Sequence, residues 1–576
     1  MRIGFIKKIL RRLDIRFQLV LLNLLVFGSL AYYIIEIGYN HPAVFKHSQW
    51  FKTSPSRFLY SLGSRVYLSN IIRLPKIQYD FLLNETAEEE QLRESRRDSV
   101  KNGFLHAWNG YTRYAWGYDE LLPLTNVGRN NFNGWGATII DALDTMWIMD
   151  LKEEFNRSRD FVRSVDFTRS DDDINVFETT IRYLGGLLSA YELSNDLVFL
   201  EKAQELGNAL LPSFDSPTGL PYNSWNLTWG INKKSHERSG PPCVSTRHCG
   251  SRTGILAQIG TMQLEFMKLS QLTGDSQFFF KVQDVIEILD RAEKYIPGLY
   301  PLEIDQDSAE FLGSHVSFGP LGDSFYEARY LLKVHVFVGG ALDQYRRMYI
   351  ESIESMHKYL IKEGKVRNRS ELLFLGDLFH DDFSGRMYHL TCFVPGMLAV
   401  GSKILDRPED LETAIRLAET CYWSYNVTLT GLGPEEFLFL TSTDELTQNE
   451  IDWLENQEKL NNLPNGLVRI SPTYLLRPET VESLFILYRI TGDKLYQEKG
   501  WMIWQAIEKW CKTPSAYSGL KDVNTEQVEM NNIMESFFFA ETLKYLYLLF
   551  SPPEIISLDT YVFNTEAHPL LRMIKP

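Results

Sequence analysis

Cysteine is scarce, with five residues in 576. No two form a Cys-x-x-Cys pair, and neither a His-Glu-x-x-His run nor an EF-hand loop occurs, so zinc and EF-hand calcium both lack a sequence signal. Low-complexity linkers are missing after residue 100, which speaks against small tethered domains and suits one large catalytic domain. Basic charge is in short supply: Lys and Arg total 59 against 74 Asp and Glu, a net −15. Six of the basic residues (Arg2, Lys7, Lys8, Arg11, Arg12, Arg16) crowd the first 16 positions against Asp14 alone, so the rest carries about −20. Such a surface repels phosphate backbones and excludes nucleic acid as a partner.

Only residues 17–35, FQLVLLNLLVFGSLAYYII, form a long apolar run. At 1.5 Å per residue they reach about 28 Å, near the thickness of a hydrocarbon core. The basic cluster before them keeps the N-terminus cytosolic. The sequence therefore predicts a cytosolic tail (1–16), a single-pass type II transmembrane signal anchor (17–35), a lumenal stem (36–99) and a catalytic domain (100–576). A signal peptide cleaved at Ser29-Leu30-Ala31 is the competing reading, but the run continues past that site. Sequons at Asn84, Asn156, Asn226, Asn368 and Asn426 agree with a lumenal bulk. Five cysteines there allow two bridges and leave one over; we pair Cys392 with Cys421 and Cys243 with Cys249, with Cys511 spare.

What is plentiful is apolar and aromatic surface, 44% and 13% of residues, enough for a large core and a lined groove. The run AEEEQLRESRRD reads as the end of the stem, and helical periodicity dominates from Val100, with little strand-like alternation. YELSNDLVFLEKAQEL, SQLTGDSQFFFKVQDV and YRITGDKLYQEKGWMI each leave a core helix, turn at an Asp and enter a more polar helix. Repeated helical hairpins of 60 to 70 residues fit about seven times, so the reading is all-α, with inner and outer helices closed in a ring.

Acids stand beside the apolar helices: Asp141, Asp323, Glu178, Glu479, Glu482 and Glu541. Ionised carboxylates are rarely buried without a partner or ligand, so their convergence points to carbohydrate chemistry, a metal, or both. Glu178 and Arg182, at i and i+4, share a helix face, as do Glu479 and Glu482 behind Arg477-Pro478. Each alone has a plainer reading: a surface ion pair, a helix start favoured by negative charge, a cap from Asp144-Thr145 beside Asp141, a turn at Gly322-Asp323. Thr565-Glu566 before His568-Pro569 offers hard oxygen donors that suit Ca²⁺, or is simply a C-terminal loop.

Taken together, GWGATIIDALDTMWIM, VFETTIRYLGGLLSAY, GDSFYE, HLTCFVPGML, LRPETVESLF, MESFFFAETLKYLYLLF and VFNTEAHPL resemble the class I α1,2-mannosidases, glycoside hydrolase family 47, from about Val100 to Leu570. The resemblance implies an (αα)7 barrel with Ca²⁺ at its base. It implies Glu178 as general acid, Glu479 as the base that activates water, and Asp323 as a third catalytic carboxylate with acid or supporting duty. Thr565 would ligate Ca²⁺ directly. Asp141, Glu327, Glu435, Glu482, Glu541 and Glu566 would hold calcium waters and sugar hydroxyls, while Arg182, His389, Arg477 and Phe537 grip the sugar. Cys392 and Cys421 match the family disulfide. The implied reaction is inverting hydrolysis with carboxyls about 6.5 to 9.5 Å apart, trimming high-mannose N-glycans from Man9 toward Man8 to Man5. The expected enzyme is a monomer in the Golgi or endoplasmic reticulum membrane.

Three positions depart from the family pattern. Gln258 replaces a Glu in the sugar-binding set, YEARYLLK is two residues longer than usual after Glu327, and Leu321 resembles the Golgi and secreted branch. The first two motivate an alternative, a catalytically weak mannose-glycan-binding factor in endoplasmic-reticulum-associated degradation. A helical scaffold without sugar chemistry is a third reading.

Overall fold

The computed structural model describes residues 71–81, 85–228, 252–326 and 331–573. The apolar run 17–35, Asn84, the Cys243–Cys249 pair, Glu327 and the inserted residues after it lie outside these. Among the described residues no helix is long and apolar enough to cross a membrane.

The chain is mostly helical, and its helices come as inner and outer partners. Leu143–Ile148 packs on Lys152–Ser164, Gly185–Ser194 on Leu197–Leu210, and Gln263–Thr273 on Ser276–Arg291. Leu331–Phe337 packs on Asp343–Tyr359, Val394–Leu405 on Pro408–Asn426, and Glu479–Thr491 on Leu495–Trp510. The last inner helix, Leu543–Leu549, takes as its outer partner the first helix, Ala87–Tyr114, and the segment before it, Phe538–Thr542, returns to Ala137–Asp141 and Leu143–Ile148. The last inner helix thus meets the first helix among the described residues.

Sequence chemistry separates the two layers. Residues 480–490 are all buried, as a helix surrounded by others requires, whereas Ser276–Arg291 buries only Phe278, Val282, Val285, Ile286 and Leu289, one apolar stripe. The repeated Asp turns form as expected. Asn195, Gly274 and Gly492 end their helices with φ of 57°, 77° and 73°. The following Asp196, Asp275 and Asp493 carboxylates accept the N–H of Val198, Gln277 and Leu495 at 3.1, 3.0 and 2.9 Å.

Two expectations about elements are corrected. The first helix starts at Ala87, not near Val100, because Thr86 and Glu89 form a capping box; AEEEQLRESRRD is its polar start, from which only Arg93 is buried. Part of the expected stem also packs on the helical body: Ile72 N–H donates to Gly339 O at 2.9 Å and Tyr79 N–H to Arg489 O at 2.8 Å. The second correction is that short antiparallel sheets of two or three strands join the helices. At two to five residues each, these strands are too short to show alternation in the sequence.

Candidate active site

The inner helices begin around one cavity of about 160 Å³, into which Glu178, Asp323, Glu479, Glu482, Glu541 and Glu566 point together with Arg182, Arg477, Phe537 and Thr565. Six carboxylates against two guanidiniums leave a strong negative excess. A wider groove of about 570 Å³ runs between Glu94 and Glu508 over the outer helices; Lys512 and Tyr517 already engage Glu508 there.

Local backbone geometry aims these side chains. Asn175 caps the turn Val176–Glu178, accepting Glu178 N–H at 3.0 Å. A π-helical segment, Thr179–Leu184, follows it, and a second, Phe538–Thr542, follows Phe537 and carries Glu541. Such wide turns inside helices often mark functional sites. Leu321 and Leu476, at φ 72° and 63°, stand two residues before Asp323 and one before Arg477. A left-handed conformation is costly for a leucine, so the fold holds strained backbone beside both of these cavity-lining segments.

Arg182 organises one wall. Its Nε donates to Glu178 Oε2 at 2.9 Å, while its terminal nitrogen contacts Ser536 Oγ at 3.2 Å, Asp141 Oδ2 at 3.4 Å and Glu566. Ser536 Oγ donates in turn to Asp141. Asp141, fully buried, ends the helix Ala137–Asp141 and lies behind the cavity wall. Burial, reinforced by Asp141, Glu541 and Glu178, pushes the Glu566 carboxyl well above the ordinary carboxylate range despite Arg182.

Around Glu479 the surroundings favour the ionised carboxylate. His389 Nδ1 lies 2.7 Å from Glu479 Oε2, and Arg477, clamped by Glu435 through Nε at 2.7 and 2.9 Å, is 4.0 Å from Glu479. Burial alone would raise the Glu479 pKa; the His389 hydrogen bond and the Arg477 charge outweigh it and hold Glu479 below the ordinary range. Arg477 also sits 5.9 Å from the centroid of the Phe537 ring. The Asp323 carboxylate accepts Ser324 N–H at 2.8 Å.

Thr565 and Glu566 form the tip of a hairpin whose strands, Tyr561–Phe563 and Pro569–Leu571, rise among the inner helices. Asn564 closes the tip, its Oδ1 accepting Glu566 N–H at 3.0 Å and His568 N–H at 2.8 Å. Its Nδ2 reaches Glu265 at 2.7 Å and the Ile181 carbonyl at 2.9 Å. A Cβ on Gly185 would come within 2.4 Å of that amide, so the Gly-Gly of TTIRYLGGLL makes room for the hairpin.

Thus the sequence-chosen Glu178, Arg182, Asp323, Arg477, Glu479, Glu482, Phe537, Glu541, Thr565 and Glu566 share one cavity. Asp141, His389 and Glu435 stand behind them, each touching one that lines it. Gln258 lies on Leu256–Ile259, which packs against the segments carrying Glu178 and Asp323 but does not line the cavity. Cys392 and Cys421 are bonded, and Cys511 is free and buried. Sequence reading missed Ser536, Tyr425 and Asn564, and took Asp144 for a possible cap. Asp144 instead is buried against Lys544 and His568; charges set inside the apolar runs DTMWIM and LKYLYLLF were the available signal.

A helical barrel with paired carboxylates, guanidiniums and an aromatic ring at one acidic pocket defines a glycoside hydrolase. The profile described as glycosyl hydrolase family 47 matches residues 103–572. The chain is similar to the mannosyl-oligosaccharide 1,2-alpha-mannosidase MNS1 of Arabidopsis thaliana, 44% identical over 84% of this chain and 80% of that one. It also resembles the endoplasmic reticulum mannosyl-oligosaccharide 1,2-alpha-mannosidase of Homo sapiens, 41% identical over 82% of this chain and 64% of that one. Among solved structures, the alpha-1,2-mannosidase from Trichoderma reesei superposes with a TM-score of 0.75 at 31% identity, covering 83% of this chain and 99% of that one. The chain belongs to glycosyl hydrolase family 47.

Proposed function

We propose that the protein is an inverting exo-α1,2-mannosidase that trims high-mannose N-glycans, from Man9 toward Man8 to Man5, in the secretory pathway. One observation carries the reaction: Glu479, its pKa lowered by the His389 hydrogen bond and the Arg477 charge, shares one cavity with Glu178 and Asp323. Glu479 draws a proton from water on one face of the sugar while a carboxyl opposite protonates the glycosidic oxygen, which inverts the anomeric centre. Glu178 is assigned the donor role, with Asp323 supporting it. Phe537 stacks on the mannose ring, and Arg182 and Arg477 bond its hydroxyls.

The residues present fit Ca²⁺. Among the described residues no three His, Cys, Asp or Glu side chains converge closely enough to hold an ion, but Thr565 offers hard oxygens in an acidic cavity where Glu482, Glu541 and Glu566 can hold its waters. Thr565, Glu482, Glu541 and Glu566 would hold the ion, which would supply positive charge and coordination for sugar hydroxyls in the transition state.

The N-terminal run and the family resemblance support a type II anchor with a lumenal domain, and Leu321, 43% exposed, supports Golgi-type trimming. Incubating the purified protein with labelled Man9 glycan, with and without chelator, tests the reading. Release of mannose that stops on chelation supports it; glycan binding with no release would select the degradation-factor alternative.

A further inference from the structure

Behind the hairpin tip lies a charge cluster that the proposed reaction does not use. Lys544 and Asp144 are both fully buried, 2.8 Å apart, and come from different inner helices. Asp144 Oδ2 also faces His568 Nδ1 at 2.8 Å and accepts Ser189 Oγ–H at 3.0 Å. The remaining contact of Lys544 is with backbone: its ammonium donates to the carbonyl oxygen of Ala567 at 2.7 Å.

Ala567 is the residue that needs such a hold. Its φ is 58°, the left-handed region that a residue with a Cβ adopts only at a cost in conformational energy. Two residues earlier stands Thr565. A change of Ala567 to negative φ would break its N–H bond to the Asn564 carbonyl and its carbonyl bond to Lys544, and would shift the tip that carries Thr565. A buried ion pair is a poor way to stabilise a fold, since desolvation offsets most of its attraction. Here the pair joins two inner helices and reaches the Ala567 carbonyl, which suits it to fixing that turn.

We propose that Lys544 and Asp144 are positioning residues for the hydrolysis: they pin the Ala567 carbonyl, keep the tip of the hairpin in its strained turn, and so hold Thr565 ready for a divalent cation. Asp144 acts twice, orienting the Lys544 ammonium and seating His568 at the other side of the same turn. The inference rests on the calcium reading above and adds the device that presents its ligand.

The test compares three forms of the full chain: wild type, Asp144→Asn/Lys544→Met, and that double variant carrying Ala567→Gly. Removing both charges together leaves neither partner as an unpaired buried ion, His568 keeps Asp141 at 3.4 Å, and glycine adopts positive φ without steric cost. Titration calorimetry with Ca²⁺ alone gives the affinity, and mannose release at limiting and saturating Ca²⁺ gives kcat and KM. The double variant is expected to bind Ca²⁺ at least tenfold more weakly and to regain kcat at saturating Ca²⁺. Ala567→Gly should restore most of the affinity. A folded double variant with wild-type affinity, or a glycine variant no better than its parent, overturns the proposal. So does a double variant that fails to fold, which would assign the pair to stability. Wild type that releases mannose but binds no Ca²⁺ would instead overturn the calcium reading on which the proposal rests.

Discussion

His389 joins Glu479 to Tyr425: one ring nitrogen lies 2.7 Å from the Glu479 carboxylate and the other 2.6 Å from the Tyr425 hydroxyl. A histidine held at both nitrogens cannot rotate away, so Glu479 keeps its hydrogen-bond partner.

The pH profile should report this directly. Because Glu479 is held below its ordinary pKa, its ionised form, and the stability it adds, persist until pH falls through that lowered value. His389→Leu removes the hydrogen bond and leaves burial dominant, so the acid limb of kcat/KM should move to higher pH. An unshifted limb would refute the coupling. Glu479→Gln should lower kcat by about 10² to 10⁴-fold, the range of a lost general base.

Arg182 is expected to matter for folding as well as activity. Arg182→Met removes the guanidinium that buried Asp141 and Glu566 share, leaving Asp141 to Ser536 and His568. Breaking a buried pair from one side costs about 3–5 kcal/mol. Urea unfolding should show a loss of that size; a change within about 0.5 kcal/mol, typical of a surface position, would mean that the pairing is not maintained in solution.

Calcium should raise the melting temperature as well as permit turnover. At 100 times its dissociation constant, a ligand bound only by the folded state adds about 2.7 kcal/mol. Thermal melts across a calcium series, with chelator as zero, measure this. A flat series would contradict a resident ion.

The Cys392–Cys421 bond closes a loop with a sequence separation of 29. On the chain-entropy account its removal costs about 3–4 kcal/mol. Cys392 belongs to His389–Phe393, and Cys421 stands one helical turn before Tyr425, so the bond also ties together both sides of the His389 bridge. Cys392→Ser/Cys421→Ser should therefore lose stability and show the same shifted acid limb as His389→Leu, though smaller. Loss of stability with an unmoved pH profile would confine the bond to a structural role.

Glycan occupancy should follow exposure if the bulk is lumenal. Asn156, Asn368 and Asn426 are exposed, whereas Asn226 is 1% exposed and donates to Asp173 Oδ1 at 3.3 Å. Mass spectrometry after glycosidase treatment should find Asn226 bare and the other three available for glycans. Full occupancy at Asn226 would contradict its placement.

Much was legible in the sequence because it was local. The helical hairpins follow from apolar periodicity, and their turns from Asn-Asp and Gly-Asp pairs that end one helix and cap the next. The catalytic candidates stood out because ionised groups beside core helices are costly without partners. The fine aim of the site was not legible. Two π-helical segments, left-handed Leu321 and Leu476, and strands of a few residues depend on contacts that no short window contains.

The amino-acid sequence by itself determined which residues are buried, where each helix turns back, and which acids the core must compensate, since these depend on neighbours three or four positions away. Only the tertiary structure decided that Glu178, Asp323, Glu479 and Thr565 share one cavity and that His389, rather than solvent, holds the base. Those relationships join residues up to hundreds of positions apart, and their distances are set by how the inner helices close around the hairpin.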